Sequence, residues 1–360
     1  MTDRASASLA GVALASTTMP VLVLAPMEGV TDAAFRATMT AQANAHSGIA
    51  WCVSEFVRVT GEPVPARVLL RSVPELHAGG RTPAGVPVHV QLLGGAAEPI
   101  ARTAALAVAL GAQGIDLNFG CPARKVNEHD GGAALLRSPS RIESIVGAVR
   151  AAVCTSVPVS AKLRLGWDSC AHLHELVVAA EAGGASWLTV HARTRAQGYR
   201  PPVDWEAIGR ARLAVSIPVI ANGDLRTVAD IMHCGQQSGC RAFMIGRGAL
   251  ARPNLFRLIS GWDSSDLDIG DLLSFVHAHG DRQLACDADE RHVVCSTKQW
   301  LRFASEARPD ERLSSAFDGM KRAQTWSEVS SALMLYWRGN ALSQPHVAMR
   351  ADVGLRELVG

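Results

Sequence analysis

The sequence lacks the features that would place it in a membrane, in a disulfide-bonded scaffold or on an open dinucleotide-binding sheet. No apolar run approaches the roughly 20 residues that a membrane span needs, so no segment is a candidate for crossing a bilayer. The eight cysteines (52, 121, 154, 170, 234, 240, 286 and 295) contain no C-x-x-C pair. Their spacing fits neither a zinc site nor a disulfide framework, so we expect no metal and a reducing, cytoplasmic setting. No apolar strand is followed by G-x-G-x-x-G with an acidic residue further on, which argues against a doubly wound sheet. Residues 1–19 offer only Arg4 beside Asp3 as a basic region, and the apolar run after them leads into structured sequence rather than a cleavage site. We expect a flexible N-terminal extension there. Low-complexity tracts are absent. The formal net charge is only +2, which decides nothing about nucleic acid, because binding depends on where charge clusters.

What is present is a recurring alternation. At 360 residues, with 48% hydrophobic residues and 32 glycines, the chain can hold a large core. From residue 21 short β-branched runs alternate with glycine-bearing loops and Ala- and Leu-rich stretches of helical period. The runs are Val21–Ala25, Trp51–Phe56, Val88–Leu92, Gly114–Leu117, Val157–Leu163, Trp187–Val190, Ile217–Ala221 and Arg241–Ile245. Helical stretches at Pro99–Leu110, Ser140–Ala152, Ala171–Ala182, Trp205–Ala214 and Thr227–Cys234 can serve as crossovers. Eight such units predict an α/β fold, a closed (β/α)8 TIM barrel, over residues 20–262; a barrel of this kind takes about 250 residues. After Trp262 the strand signals stop. Helices are predicted at Leu267–Cys286, Glu290–Arg308, Pro309–Arg322 and Trp326–Arg338, a C-terminal all-helical bundle over residues 263–340, with 341–360 as a fraying tail.

In this fold the active site is built at the carboxyl ends of the strands. A polar residue ends nearly every predicted strand: Glu28, Glu55, Gln91, Asn118, Lys162 with Arg164, His191, Asn222 and Arg247. One such residue more often caps a helix or faces water, but a series converging on one mouth assembles a polar pocket. Ile220–Asp224 and Ile245–Ala249 are glycine-bearing turns after strands seven and eight, where backbone N–H groups can hold a phosphate. Lys162 and Arg164, two apart, share the inward parity of strand five. Lys162 could form an ion pair with Glu28 or Glu55, act as a Schiff-base nucleophile, or stabilise negative charge on a cofactor. Cys121 lies in the long loop Phe119–Lys125, beside Arg124 and Lys125. A lone cysteine is usually a small packed hydrophobe, a reading that weakens in a polar Gly-Pro loop at the catalytic face.

Ala25–Asp32 (APMEGVTD), Asp116–Pro122 (DLNFGCP), Lys162–Asp168 (KLRLGWD), Val190–Thr194 (VHART) and the two glycine turns resemble the tRNA-dihydrouridine synthases, over roughly residues 20 to 340. Pro-Met-Glu-Gly at Pro26–Gly29, Ser54–Val59 and Lys298-Gln299-Trp300 are most similar to the bacterial C-type enzymes, which modify uridine 16. The resemblance implies FMN contacts at Pro26, Met27, Glu28, Gln91, Lys162, His191, Asn222, Gly223, Asp224, Gly246 and Arg247, with NADPH as reductant. It further implies Cys121 as the general acid that protonates carbon 5 of uracil, with Asn118 on the uracil edge and Lys162 and His191 stabilising negative charge on the cofactor. A proton donor must stay protonated, so Arg124 and Lys125 are expected to face RNA rather than the thiol.

A monomer acting on tRNA is expected, with contacts at Arg58, Asn118, Arg164, Arg195, Lys298, Trp300 and Lys321, and further cations at Arg193, Arg200, Arg302 and Arg322. Each of these cations could equally be a solvated surface charge. Two departures from the family pattern are Asp224, where a glutamate is usual, and Phe119, where a smaller residue is. A small-molecule FMN dehydrogenase of the dihydroorotate type would share the phosphate loops and Lys162 without needing the basic tail. A flavin-free aldolase or isomerase would use Lys162 as a Schiff base.

Overall fold

The computed structural model describes residues 8–9, 12–13, 19–41 and 47–337. Eight parallel strands close on themselves: Val21–Leu24, Trp51–Val53, Val88–Leu93, Ile115–Asn118, Val159–Arg164, Trp187–His191, Val219–Asn222 and Ala242–Ile245. Each pairs with its sequence neighbours, and the eighth returns to the first through Ala242 opposite Val21. A short extra strand, Val57–Arg58, pairs with the end of the third. Within the region expected to be a flexible extension, Ser8–Leu9 pairs antiparallel with Val12–Ala13. The tail expected at 341–360 lies outside the described residues.

The alternation of the strands explains the closure. Val21, Val23, Trp51, Val53, Trp187, Ile220, Ala242 and Met244 form one apolar cluster inside the barrel. Their neighbours Leu22, Leu24, Cys52, Val90, Leu117, Ala161, Val190, Ala221 and Ile245 belong to a second, larger core beneath the helices. A strand buried on both faces must be apolar at both parities, as parallel sheets require. Trp51 stacks on His89 with 5.5 Å between ring centres, and Trp187 lies 5.3 Å from Trp51. These rings sit at the amino ends of their strands and plug that end of the barrel. The polar residues of the same inward parity are thereby left at the carboxyl end.

Helices at Ala97–Ala109, Pro139–Ala152, Leu173–Ala182, Trp205–Ala214 and Val228–Ser238 cover the barrel at the expected places. Beyond it stand Ile269–Ala285, Glu290–Ala307, Glu311–Met320 and Trp326–Trp337. Asp268, Asp289 and Asp310 open the first three by accepting backbone N–H groups of the first turn, which satisfies donors that a helix start leaves free.

The tail helices are bound to the loop that follows strand one. Asp32 accepts from His292 at 3.0 Å and from Gln283 at 3.3 Å, while Gln299 donates to the Glu28 carbonyl at 3.2 Å. At the centre of this contact Trp300 is 2% exposed, donates Nε1–H to the Leu250 carbonyl at 2.9 Å, and meets Phe35 edge-on at 4.8 Å. This corrects the expectation of an RNA contact at Trp300: its indole is consumed by packing the tail onto the barrel. Trp300→Ala should cost about 3–5 kcal/mol of stability, as large aromatic truncations in cores do, measured by urea unfolding. A loss below about 1 kcal/mol would contradict this role.

Candidate active site at the carboxyl mouth of the barrel

The carboxyl ends of the strands surround a cavity of about 700 Å³, a size that takes a ligand of cofactor dimensions. Of the strand-end residues named from the sequence, Glu28, Gln91, Asn118, Lys162, Arg164, His191, Asn222 and Arg247 line it. Glu55 does not; it accepts the backbone N–H of Val30 at 3.2 Å and braces the strand-one loop instead. Pro26, Met27, Gly223, Asp224 and Gly246 also face the cavity, so all eleven residues expected to hold a cofactor meet in one place.

At the inner wall, Lys162 donates to Asn222 Oδ1 at 3.3 Å, and no ion pair joins it to Glu28 or Glu55 among the described residues. Burial, reinforced by the charge of Arg164, lowers its pKa to about 8 against the opposing pull of Asp116. His191 is pushed well below the usual histidine range by burial and by the charges of Arg164, Lys162, Arg193 and Arg247. Its ring is therefore neutral, and its buried Nδ1 has no protein partner. A neutral ring can still meet the expectation that His191 stabilises negative charge, through a hydrogen bond, while Lys162 carries the positive charge.

The two glycine-bearing turns form a charged part of the cavity wall. Gly223 has φ +121, and a Cβ on Gly248 would collide with the Leu225 carbonyl, so side chains are excluded where the two turns meet. Asp224, itself at φ 51, ion-pairs with Arg193 at 2.5 Å, Arg247 at 2.8 Å and Arg226 at 3.2 Å. Burial alone would raise this carboxyl, but the hydrogen bond and charge of Arg193, with Arg226 and Arg247, hold it below the ordinary range. Three cations around one carboxylate leave positive charge for an anion. Arg193 itself is 1% exposed, which removes it from the expected set of surface phosphate contacts.

Cys121 lines the same cavity. Its backbone N–H donates to Asn118 Oδ1 at 2.9 Å, and its carbonyl accepts from Asn127 Nδ2 at 2.8 Å and from the Ala133 N–H at 3.1 Å. Burial raises its thiol pKa, assisted by Glu28 and opposed by the Ala123 N–H, Arg164 and Lys162. The thiol therefore keeps its proton at neutral pH. Arg124 is 89% exposed and pairs with Glu128, away from the thiol. Phe119 is buried in the main core, and its N–H continues the strand ladder to the Lys162 carbonyl at 2.9 Å.

The remaining cations divide. Arg164 is buried and donates to the carbonyls of Gly120, Thr194 and Gly198, tying two loops of the mouth together; it lines the cavity but is not a surface contact. Arg58 donates to the Lys125 carbonyl, Arg195 lies over the Trp167 ring at 4.4 Å, Lys298 donates to the Ala323 carbonyl, and Lys321 pairs with Asp318. Sequence reasoning missed Tyr199, which is 57% exposed at the rim, edge-on to His191 and with Arg247 4.8 Å from its ring centre. Its signal was available, since it is one of only two tyrosines and falls in an Arg-rich loop. Missed too were Phe303 and Glu306, which with Arg302 bring the tail into the cavity wall.

Among the described residues no helix is long and apolar enough to cross a membrane, and no cluster of three or more His, Cys, Asp or Glu could hold a metal.

The family described as Dihydrouridine synthase (Dus) matches residues 23–330 of this chain. A Cupriavidus necator protein named tRNA-dihydrouridine(16) synthase is 51% identical over 243 residues, 68% of this chain and 74% of its own length. Proteins of the same name from Pseudomonas putida and Salmonella typhimurium are 42% and 44% identical, covering 80% and 78% of this chain and 89% of each relative. With the family match spanning the barrel and most of the helical tail, this chain is an oxidoreductase that belongs to the dihydrouridine synthase family.

Proposed function

We propose that this protein reduces uridine 16 in the D-loop of tRNA to 5,6-dihydrouridine, with FMN as cofactor and NADPH as reductant. The observation that carries the reading is the meeting, in one cavity, of a protonated thiol at Cys121, a lysine and neutral imidazole at Lys162 and His191, and a cationic glycine cradle at Asp224 and Arg247. The names borne by the relatives support the substrate and the position.

The residues fit flavin mononucleotide. The cradle of Gly223, Gly246, Arg226 and Arg247 suits its phosphate, and the unpartnered Nδ1 of His191 awaits a polar ring edge. Such a flavin supplies hydride-transfer chemistry, which no side chain possesses. The chain's own residues do the rest. Lys162, held by Asn222, supplies positive charge at the inner wall. Asn118 has one N–H still free beyond its bonds to Gln91 and to the Gly120 and Cys121 N–H groups, enough to meet a carbonyl of the uracil edge. Cys121 delivers its proton to carbon 5 of the base.

The target base must leave its stack to reach this depth, at a cost of a few kcal/mol recovered from backbone contacts. Arg58, Arg195, Arg200, Arg302, Lys298, Lys321 and Arg322 are the cations we assign to the RNA backbone. We place the barrel at residues 20–262 and the RNA-binding helical domain at 263–340, in a cytoplasmic monomer.

Incubating the FMN-loaded enzyme with NADPH and unmodified tRNA, then mapping the digest by mass spectrometry, should yield dihydrouridine at position 16. Dihydrouridine at another position would overturn the site preference, and none at all would overturn the activity. Affinity for tRNA should fall steeply between about 50 and 200 mM salt, as phosphate neutralisation requires. A flat salt response would contradict the RNA-binding assignment.

A further inference from the structure

One buried acid below the cavity has no task in this chemistry. Asp116 lies on the fourth strand two residues before Asn118, with its side chain inside the barrel and 1% exposed. Its carboxylate accepts from Ser160 Oγ at 2.6 Å and from Gln91 Nε2 at 2.7 Å. Gln91 Oε1 accepts from Asn118 Nδ2 at 2.8 Å, and Asn118 Oδ1 accepts the backbone N–H groups of Gly120 at 3.0 Å and Cys121 at 2.9 Å.

The direction of this chain is fixed at its lower end. An ionised carboxylate has only acceptors, so Gln91 must turn its NH₂ inward and its carbonyl outward. Asn118 must then meet that carbonyl with its own NH₂, which leaves its oxygen for the two N–H groups of the loop. We propose that Asp116 is a positioning residue: it sets the amide orientations of Gln91 and Asn118 and through them fixes the backbone at Cys121. The inference rests on the reading of Cys121 as proton donor only for its catalytic consequence, not for its geometry.

A purely structural role is a poor account of a carboxylate here. Burial raises the Asp116 pKa to about 6, against the hydrogen bonds of Gln91 and Ser160 and the charge of Lys162. Keeping this group ionised at neutral pH therefore costs stability that a neutral isostere would not. Lys162 on the fifth strand is the charge acting on it. On the third strand the inward neighbours are Gln91 and His89, the latter neutral because burial lowers its pKa to about 3.

The test is Asp116→Asn in the FMN-saturated enzyme. An asparagine can present either end of its amide, so the orientation of Gln91 and Asn118 is no longer imposed from below and only the loop's own N–H groups hold it. Four readouts are expected. The melting temperature stays or rises, NADPH-driven bleaching of the flavin is retained, and single-turnover uridine reduction slows about tenfold to a hundredfold, as loss of alignment does. Alkylation of Cys121, read by peptide mass spectrometry against the exposed Cys170, rises severalfold. In the parent enzyme that alkylation ratio should change as pH falls through about 6, and in Asp116→Asn it should not. Ser160→Ala, which removes one donor to the carboxylate, should move the break to higher pH. An Asp116→Asn ratio equal to that of the parent across the range, or an unmoved break in Ser160→Ala, would overturn the proposal. Should Cys121→Ala retain full uridine reduction, the proton-donor reading falls alone, because the alkylation readouts judge the hydrogen-bond chain without it.

Discussion

Cys121→Ala should bind FMN as the parent does, accept electrons from NADPH, and yet form dihydrouridine about 10²- to 10⁴-fold more slowly, the range spanned by general acid catalysis. The prediction follows from where the thiol sits. It lines the same cavity as Lys162 and His191, and its loop is held by Asn118, Asn127 and the Ala133 N–H rather than by the thiol itself. Removing the sulfur should therefore leave the loop and the cofactor pocket in place. The protonation state agrees with the role: burial and the facing Glu28 raise the thiol pKa above its ordinary value, so a proton is present to give at neutral pH. The parent rate should consequently hold through neutral pH and fall in the alkaline range, first as Lys162 loses its proton near pH 8 and further as the thiol ionises. A rate for Cys121→Ala within threefold of the parent, measured by single turnover on tRNA, would refute the assignment.

Lys162→Met should lower uridine reduction about 10²- to 10³-fold, the typical effect of deleting one preorganised electrostatic contact, and should weaken retention of the flavin on gel filtration. It should also stabilise the cofactor-free protein. Burial, with Arg164 nearby, depresses the ammonium pKa to about 8 from 10.5. A lysine depressed in the folded state binds its proton less tightly there than in the unfolded chain. The resulting penalty is fully present below about pH 8 and is relieved as pH rises toward 10.5. We expect Lys162→Met to exceed the parent by about 3 kcal/mol at pH 7, with the difference shrinking through that window in urea unfolding series. Equal stabilities at pH 7, or a gap that widens with pH, would show that Lys162 carries no such strain. The same variant separates the rival chemistries, because a Schiff-base aldolase would lose all activity while an FMN enzyme keeps a residue of it.

The sequence alone determined the architecture, because its signals are local and periodic. Apolar runs such as Val21–Ala25 and Trp187–Val190 match strands at Val21–Leu24 and Trp187–His191, and Trp205–Ala214 is the helix found. Ordering eight parallel units leaves little choice of topology, since crossovers have one hand and the barrel must close. Strand-end polarity likewise brought Gln91, Asn118, Lys162, His191, Asn222 and Arg247 to one mouth, because side chains two apart on a strand share a face. What the pattern could not decide depended on partners remote in sequence. Trp300 reads as a surface aromatic next to Lys298, and only the approach of Phe35 and Leu250 shows it buried. Arg193 reads as a free cation until Asp224 is found 2.5 Å away. His191 is held neutral, and Asp116 acquires a hydrogen-bonded path to Cys121, through burial and contacts among the third to sixth strands. Side-chain alternation fixes which way a residue points. Its charge and its task depend on desolvation and on which groups the closed barrel brings within a few ångströms, and those quantities exist only in three dimensions.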